Sequence, residues 1–525
     1  MFRKFSLITL MLLLSGLIAA CGGGTPAAEP TAAPAAEAPT QAPAAEATTA
    51  PTEAPTEEAT EEATAAATEE ATAAATEEAT AAAPTAEGNA GGVAASGGEP
   101  NTTADLAGIA DQISEELAAA FNGEYQGTTV TMTGPFVEED QRKFENAVAD
   151  FEEATGIDIQ YEGSKEFEAS ISIRVDGGNP PDIVDFPQPG LVANFVRDGK
   201  VVDVSQFLNE EWLTQNYNQS WLDMARMEGA DGEITAGVWQ RVNGKSLVWY
   251  PKAAFDEAGY EIPETWDDML ALTEQIAADG DTAWCIGIES GAATGWPATD
   301  WLEEIMLRTT SLENYDQWVT GELKFNSPEV KAAAEKMGEI WFNDQYVYGG
   351  RAAIVTTAFG DAPAPMFNDP PQCWLHKQGN FITSFFPADA VAGEDYDFFY
   401  LPPIDEAYGR PVLVAGDFMA MFNDRPEVRA VLSFFSSGAS VEKWAAAGGA
   451  ISPHNDSSLD WYGNDVERGV AEIILNATSL RFDGSDLMPG EVGAGSFWKG
   501  MTDYVAGTVD LDQALNEIDA AWPNR

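Results

Sequence analysis

Three observations predict an α/β fold for this chain of 525 residues. Residues 129–133, 157–161 and 183–186 are runs of β-formers, and the stretches between them, 138–154 and 167–175, carry apolar residues at helical spacing (Phe144, Val148 and Phe151 in the first). That β-α-β-α-β order gives a parallel sheet with right-handed crossovers. Residues 237–249 then form one long extended run with Val238, Trp239, Val242, Leu247, Val248 and Trp249. The run is too long for an ordinary strand and is interrupted at Asn243-Gly244, so it predicts two strand halves with a bend between them. After it the alternation resumes, with strands expected at 282–288, 379–386, 398–403 and 412–423 and helices between them.

The first hundred residues lie outside that pattern. Arg3 and Lys4 precede an apolar run over residues 5–20, the n-region and h-region of a secretory signal and too short for a membrane span. The run ends Leu17-Ile18-Ala19-Ala20-Cys21-Gly22, which resembles a bacterial lipoprotein cleavage box with Cys21 as lipid acceptor. The signal is therefore placed at 1–21. Residues 22–100 are rich in Ala, Thr, Pro and Glu, with three copies of Thr-Glu-Glu-Ala-Thr-Ala-Ala-Ala over 60–83. Nothing in that unit is large enough to bury against a neighbour, so it reads as a disordered tether rather than a solenoid. Residues 101–127 are expected to form a lead-in helix, with Leu106, Ile109, Ile113, Leu117 and Phe121 on one face.

Later start and stop signals are local. Gly178-Asn-Pro-Pro-Asp182 turns into the third strand, and ligands of open α/β sheets gather at the strand ends, here 134–136 and 187–189. Tyr250-Pro251 closes the long extended run, because proline removes a ladder donor. A short helix to Gly259 follows, then Thr265 as a helix cap with Asp267 and Asp268 in the first turn. Pro328 opens a helix over 329–343, and helices are expected at 426–435 and 441–447. The glycine-rich stretch 290–301 and the stretch 486–498 are read as loops.

Trp-Tyr-Pro-Lys at 249–252, the Ala-Gly-Tyr turn at 258–260 and Pro-Glu-Thr-Trp-Asp-Asp at 263–268 resemble the signature of the extracellular solute-binding proteins of ABC importers. The likeness is to the branch that binds maltose, α-glucosides and related oligosaccharides, and it spans roughly residues 125–525. It implies a two-lobe fold of the periplasmic-binding type (class II) with three hinge crossings: 237–249, the return at 412–423 and Gly448-Gly-Ala-Ile-Ser-Pro453. The first lobe is then 128–241 with 415–452, the second 242–414 with 453–525. It also implies a monomer that captures an oligosaccharide or glycoside between the lobes and delivers it to a permease, with bending near Asn243, Ala415 and Ser452.

Composition narrows the class independently. A formal charge of −60 excludes nucleic acid as a partner, since a polyanion would be repelled. With Cys21 lipidated, Cys285 and Cys373 form an even extracytoplasmic pair, expected to be bridged; two buried free thiols are the other reading. Only His376 and His454 are present and neither lies by a cysteine pair, so no metal site and no cofactor are expected. The motifs G-x-S-x-G and H-E-x-x-H and a phosphate loop are absent, and the chain is read as a non-enzyme. A secreted carbohydrate-active hydrolase is the alternative, and a stalked surface scaffold a third class that leaves the crossings unexplained.

Sugars need flat aromatic faces and planar polar groups. Trp296, Trp374 and Trp498 stand in Gly-, Pro- or polar-rich stretches, and the resemblance puts tryptophans matching Trp296 and Trp498 at the cleft. Gln188, Trp239, Arg241, Asn243 and Asp417 sit at a strand end or on a crossing. Arg241 has two readings, a ligand contact or an ion pair holding the lobes.

Overall fold

The computed structural model describes residues 101–475 and 477–523. The signal segment, Cys21 and the tether to residue 100 lie outside the described residues.

Strands Thr129–Gly134, Asp158–Gly163 and Ile183–Phe186 form the expected parallel core, the first pairing with both others. Helices Glu138–Thr155 and Phe167–Asp176 are the crossovers, and Gly156, at φ 72°, ends the first in the left-handed conformation that glycine adopts freely. The strand Pro411–Met421 runs antiparallel to Ile183–Phe186 and also pairs with Gly237–Gly244, while Ser479–Phe482 lies parallel to its first half. A second, three-stranded antiparallel sheet holds Leu247–Tyr250 between His376–Lys377 and Asp397–Tyr400. The run 237–250 thus feeds both sheets, with the change of sheet at Lys245-Ser246. Two hydrophobic clusters correspond: one around Val130, Phe144, Phe186 and Phe418, the other around Trp266, Trp284, Trp301 and Trp341.

The three crossings meet. Val242 pairs with Gly416 on one side, and exchanges backbone hydrogen bonds with Ile451 on the other (2.8 and 3.2 Å). Between Asp417 and Phe418 the register shifts: Arg241 faces Asp417, but Trp239 faces Phe418, so Gln240 is the extra residue of a β-bulge.

Several elements differ from the sequence expectation. The lead-in is three short helices, Thr103–Leu106, Ala110–Ile113 and Glu115–Phe121. Ser114, extended at φ −160°, breaks the periodic stretch and caps the third with its hydroxyl. Residues 282–288 form no strand; Trp284 makes only isolated bridges to Val347 and Leu375. Residues 380–385 coil into a 3-10 helix, Asn380–Phe385, where a strand was expected. The stretch 290–301 is helical from Trp296, opened by Pro297 in the first turn. Likewise 486–498 is no loop: a helix Gly484–Leu487 leads into a π-helix Glu491–Phe497 and on to the helix Trp498–Ala506. Thr265 caps Trp266–Asp279 as expected, with Asp268 completing a capping box.

Candidate functional site: a cavity between the two sheets

A cavity of about 150 Å³ lies where the crossings pass from one sheet to the other. Its empty space, open solvent at the mouth included, is about 930 Å³. Pro135, Phe136 and Asp140 enter from the end of the first strand and the helix it feeds, and Gln188 from the end of the third. Arg241, Asn243, Lys245 and Asp417 come from the crossings. The facing wall is aromatic: Trp296, Phe359, Phe381, Phe385 and Trp498. Trp296 packs edge-on to Phe359 with ring centres 5.1 Å apart, and Phe359 on Phe385 at 5.1 Å.

Segments on the two sides touch around this space. A Cβ on Gly190 would meet the Met488 carbonyl oxygen at 1.8 Å, and one on Gly291 would meet Lys165 and Glu166 at 2.8 Å. Lys143 Nζ donates to Ser384 Oγ (2.9 Å) and to the Gly448 carbonyl (2.8 Å).

Two buried cations stand at the crossings. Arg241 donates through Nε to Asp417 (2.7 Å) and through Nη1 to Asp140 (3.2 Å). Its guanidinium lies 4.5 Å from the Phe136 ring centre and 4.2 Å from that of Trp444. Burial opposes its charge, but the Asp417 and Asp140 carboxylates raise its pKa overall. Lys245 Nζ bridges Asp300 (2.9 Å) and Asp483, 5.3 Å from the Trp296 ring centre. Burial lowers its pKa and the carboxylates of Asp300, Asp483 and Asp486 raise it further than burial lowers it. Of the acid pair, burial pushes Asp300 up to about 7, while at Asp483 the neighbouring Lys245 overcomes burial and holds the carboxyl down to about 2.

Asp300, Glu303 and Asp483 offer oxygens within 4.8 Å of one another. A metal does not fit there: the Lys245 ammonium already pairs with Asp300 and Asp483, and Glu303 accepts the amides of Gly484 (2.9 Å) and Ser485 (3.0 Å).

Six of the residues singled out in the sequence line the cavity: Gln188, Arg241, Asn243, Trp296, Asp417 and Trp498. Trp239 and Trp374 do not. Period-two alternation would put Trp239 on the same face as Arg241, but the bulge at Gln240 turns it to the opposite face. There its ring lies 5.0 Å from those of Trp221 and Phe418 and its Nε1 donates to the Trp221 carbonyl (2.9 Å). Trp374, beside Cys373, packs edge-on to Tyr260 at 5.0 Å in the second cluster. Cys285 and Cys373 come together, with Cα atoms 5.5 Å apart. Arg241 makes the ion pairs of its second reading and lines the cavity as well.

The model of the bacterial extracellular solute-binding protein family matches residues 137–443, which include both crossings of the cavity and most of its lining. The chain belongs to this family. It is 48% identical over 402 residues to the osmoprotective compounds-binding protein GgtB of Synechocystis, covering 77% of this chain and 94% of that one. It is 44% identical over 406 residues to the α-glucosides-binding periplasmic protein AglE of Rhizobium meliloti, covering 76% and 88%. Among solved structures, the maltose-bound MalE3 of T. maritima superposes with a TM-score of 0.60 at 15% identity, over 75% of this chain and 98% of that one. The bacterial solute receptor AcbH gives 0.63 at 16%, again over 75% and 98%. The two-lobe fold of periplasmic sugar-binding proteins is thereby established, and the chain resembles the α-glucoside branch of the ABC-importer receptors.

Several lining residues carry no distinguishing mark in the sequence: Asp140, Glu168, Lys245, Phe359, Phe381, Phe385, Asp483 and Asp486. Asp140 was accessible in principle, since it lies in the first turn of the helix that follows a strand end. Phe381 and Phe385 were hidden because a strand was read where a 3-10 helix turns both toward the cavity.

Proposed function

We propose that this solute-binding protein captures an α-linked glucoside or short oligosaccharide in the cavity and hands it to an ABC permease. One observation carries the reading: a wall of five aromatic rings faces a wall of planar polar groups on the opposite lobe and the crossings. Sugars present C–H faces that pack on rings and paired hydroxyls that match carboxylates, amides and guanidinium. A ligand that touches both walls is bound better when the lobes are closed, and that difference is all that drives closure. The lobes, taken as 128–241 with 415–452 and 242–414 with 453–525, rotate as rigid bodies about a few torsions near Asn243, Ala415 and Ser452. The names of GgtB and AglE support this ligand class.

The protein acts as a monomer on the outer face of the membrane, held by lipid on Cys21. Replacing Cys21 by Ala releases it from the membrane fraction with affinity unchanged; equal retention would refute the anchor. The reading as a whole is tested with a panel of α-glucosides, scored for melting shift and for cleavage. A stabilising shift with the sugar recovered intact supports it; cleavage, or no shift with any of them, overturns it.

A further inference from the structure

Several buried acceptors of the cavity wall lack a donor, and Lys165, an exposed cation of the lining, is paired with Glu138 (3.1 Å). Asp140 Oδ1, Gln188 Oε1 and Asn243 Oδ1 belong to lining residues that are more than nine-tenths buried, and none of the three oxygens has a hydrogen-bond partner. A buried acceptor without a donor is costly, so the natural complement is a group that donates. The two buried cations that could have met an anion are already spent. Arg241 is neutralised by Asp417 and Asp140, and Lys245 by Asp300 and Asp483.

Two further lining carboxyls have little holding them. Glu168, on the helix Phe167–Asp176, accepts one long bond from Gln188 Nε2 (3.3 Å). The side chain of Asp486, on Gly484–Leu487 of the other lobe, accepts no hydrogen bond from the described residues. Both are pushed above the carboxylate range by burial, Glu168 to about 7. Asp483, Asp300 and Glu168 raise Asp486 further and Lys245 opposes them, while Glu166 adds to the rise at Glu168 and Gln188 opposes it. A ligand carboxylate or phosphate placed here would itself lose water and would meet the like charge of whichever of these carboxyls is ionised.

We propose that the site selects by charge: it takes uncharged and cationic (amino-substituted) glycosides through at least three ligand donors, and excludes anionic ones. This rests on the glycoside reading above and deepens it. An ammonium group beside Asp486 and Glu168 favours their ionised forms, so its binding releases protons.

The test is calorimetry on the full chain with methyl α-D-glucopyranoside, its 6-amino-6-deoxy derivative and the corresponding glucuronide, in two buffers of different ionisation enthalpy. The expected order is amino derivative at least equal to the neutral glucoside, glucuronide at least about tenfold weaker, and proton release only with the amine. A glucuronide less than tenfold weaker than the neutral glucoside overturns charge selection and leaves the glycoside reading standing; if none of the three binds, both fall. The double variant Glu168→Gln, Asp486→Asn is expected to narrow the gap between glucuronide and glucoside at least about fivefold. An unchanged gap overturns the assignment to these carboxyls.

Discussion

The two walls of the cavity are built on different principles. On the first lobe and crossings the groups are polar and locked by charge: Arg241 lies between two aromatic rings and two carboxylates, and unpaired oxygens remain around it. The second lobe contributes five aromatic rings together with the carboxyls of Asp483 and Asp486, and Cys285 and Cys373 meet within that half of the molecule. Aromatic area binds many partners; oriented acceptors bind few. In the proposed site the rings of the second lobe would supply strength, and the oriented polar groups of the crossings and of both lobes discrimination.

The largest expected effect breaks the polar wall. Arg241→Ala strands Asp417 and Asp140, with Asp185 close by, as buried carboxyls without a cation. Breaking a buried pair in this way costs about 3–5 kcal/mol. Denaturant unfolding should show that loss, and sugar affinity should fall at least about tenfold. A loss under about 1 kcal/mol would mean that the charges at this wall do not hold it together.

Next comes the cross-link of the other half. A bond closing the 88-residue separation between Cys285 and Cys373 contributes about 2–4 kcal/mol. Non-reduced peptide mapping should link the two, and the double Cys→Ser variant should melt lower without changing ligand preference. Free thiols at both positions in protein from its native compartment would overturn the pairing.

Trp296→Ala sharpens the contrast directly. Its ring is half-buried against Phe359 and Phe381, so its loss removes contact area while leaving the polar wall intact. Affinity should fall by about tenfold, or about 1.4 kcal/mol, for every sugar in a panel alike. A change in the order of preference instead would move discrimination to the aromatic side.

The smallest effect uses the two buried histidines, His376 on a strand of the second sheet and His454 beyond the third crossing. His454 is bonded to Tyr217 and Ser452 near the third crossing, and burial lowers its pKa to about 3; His376 Nδ1 donates to the Cys285 carbonyl oxygen, and burial lowers it to about 4. In both, the unfolded chain binds the proton first, so stability is lost as pH falls below about 6.5 and levels off near the folded value. Between pH 6.5 and 5.5 the loss is about 1 kcal/mol for each histidine. Measured against the unsubstituted chain, His454→Asn should flatten this part of the profile; an unaltered slope would refute its titration as a cause.

The regular parts of this structure were legible because each depends on near neighbours. The parallel strands, the Thr265 cap, the Pro426–Phe435 helix and the long crossings follow from patterns within a dozen residues. What escaped depends on distant partners. Nothing around Gln240 announces a bulge, since the shift is defined by Phe418, yet it decides that Arg241 faces the cavity and Trp239 the core. Residues 380–385 have strand-forming side chains, but Asn380 bonds the Gly244 amide of the crossing and the segment coils beneath it. Asp483 and Asp300, 183 positions apart in the chain, are brought together around Lys245.

The meeting of three strands at Val242 has a mechanical consequence. Separate ropes between two bodies let one slide or twist past the other, but these are knotted, with Gly416 on one flank and Ile451 on the opposite. A torque applied through any one of them is shared by all, and sliding of one past another would break backbone hydrogen bonds. In the closure proposed above, rotation would be cheapest about an axis close to this knot, with the cavity beside it. Travel would then be smallest at the crossings, where Arg241 and Lys245 are held by their carboxylates, and larger towards Gly190 and Gly291.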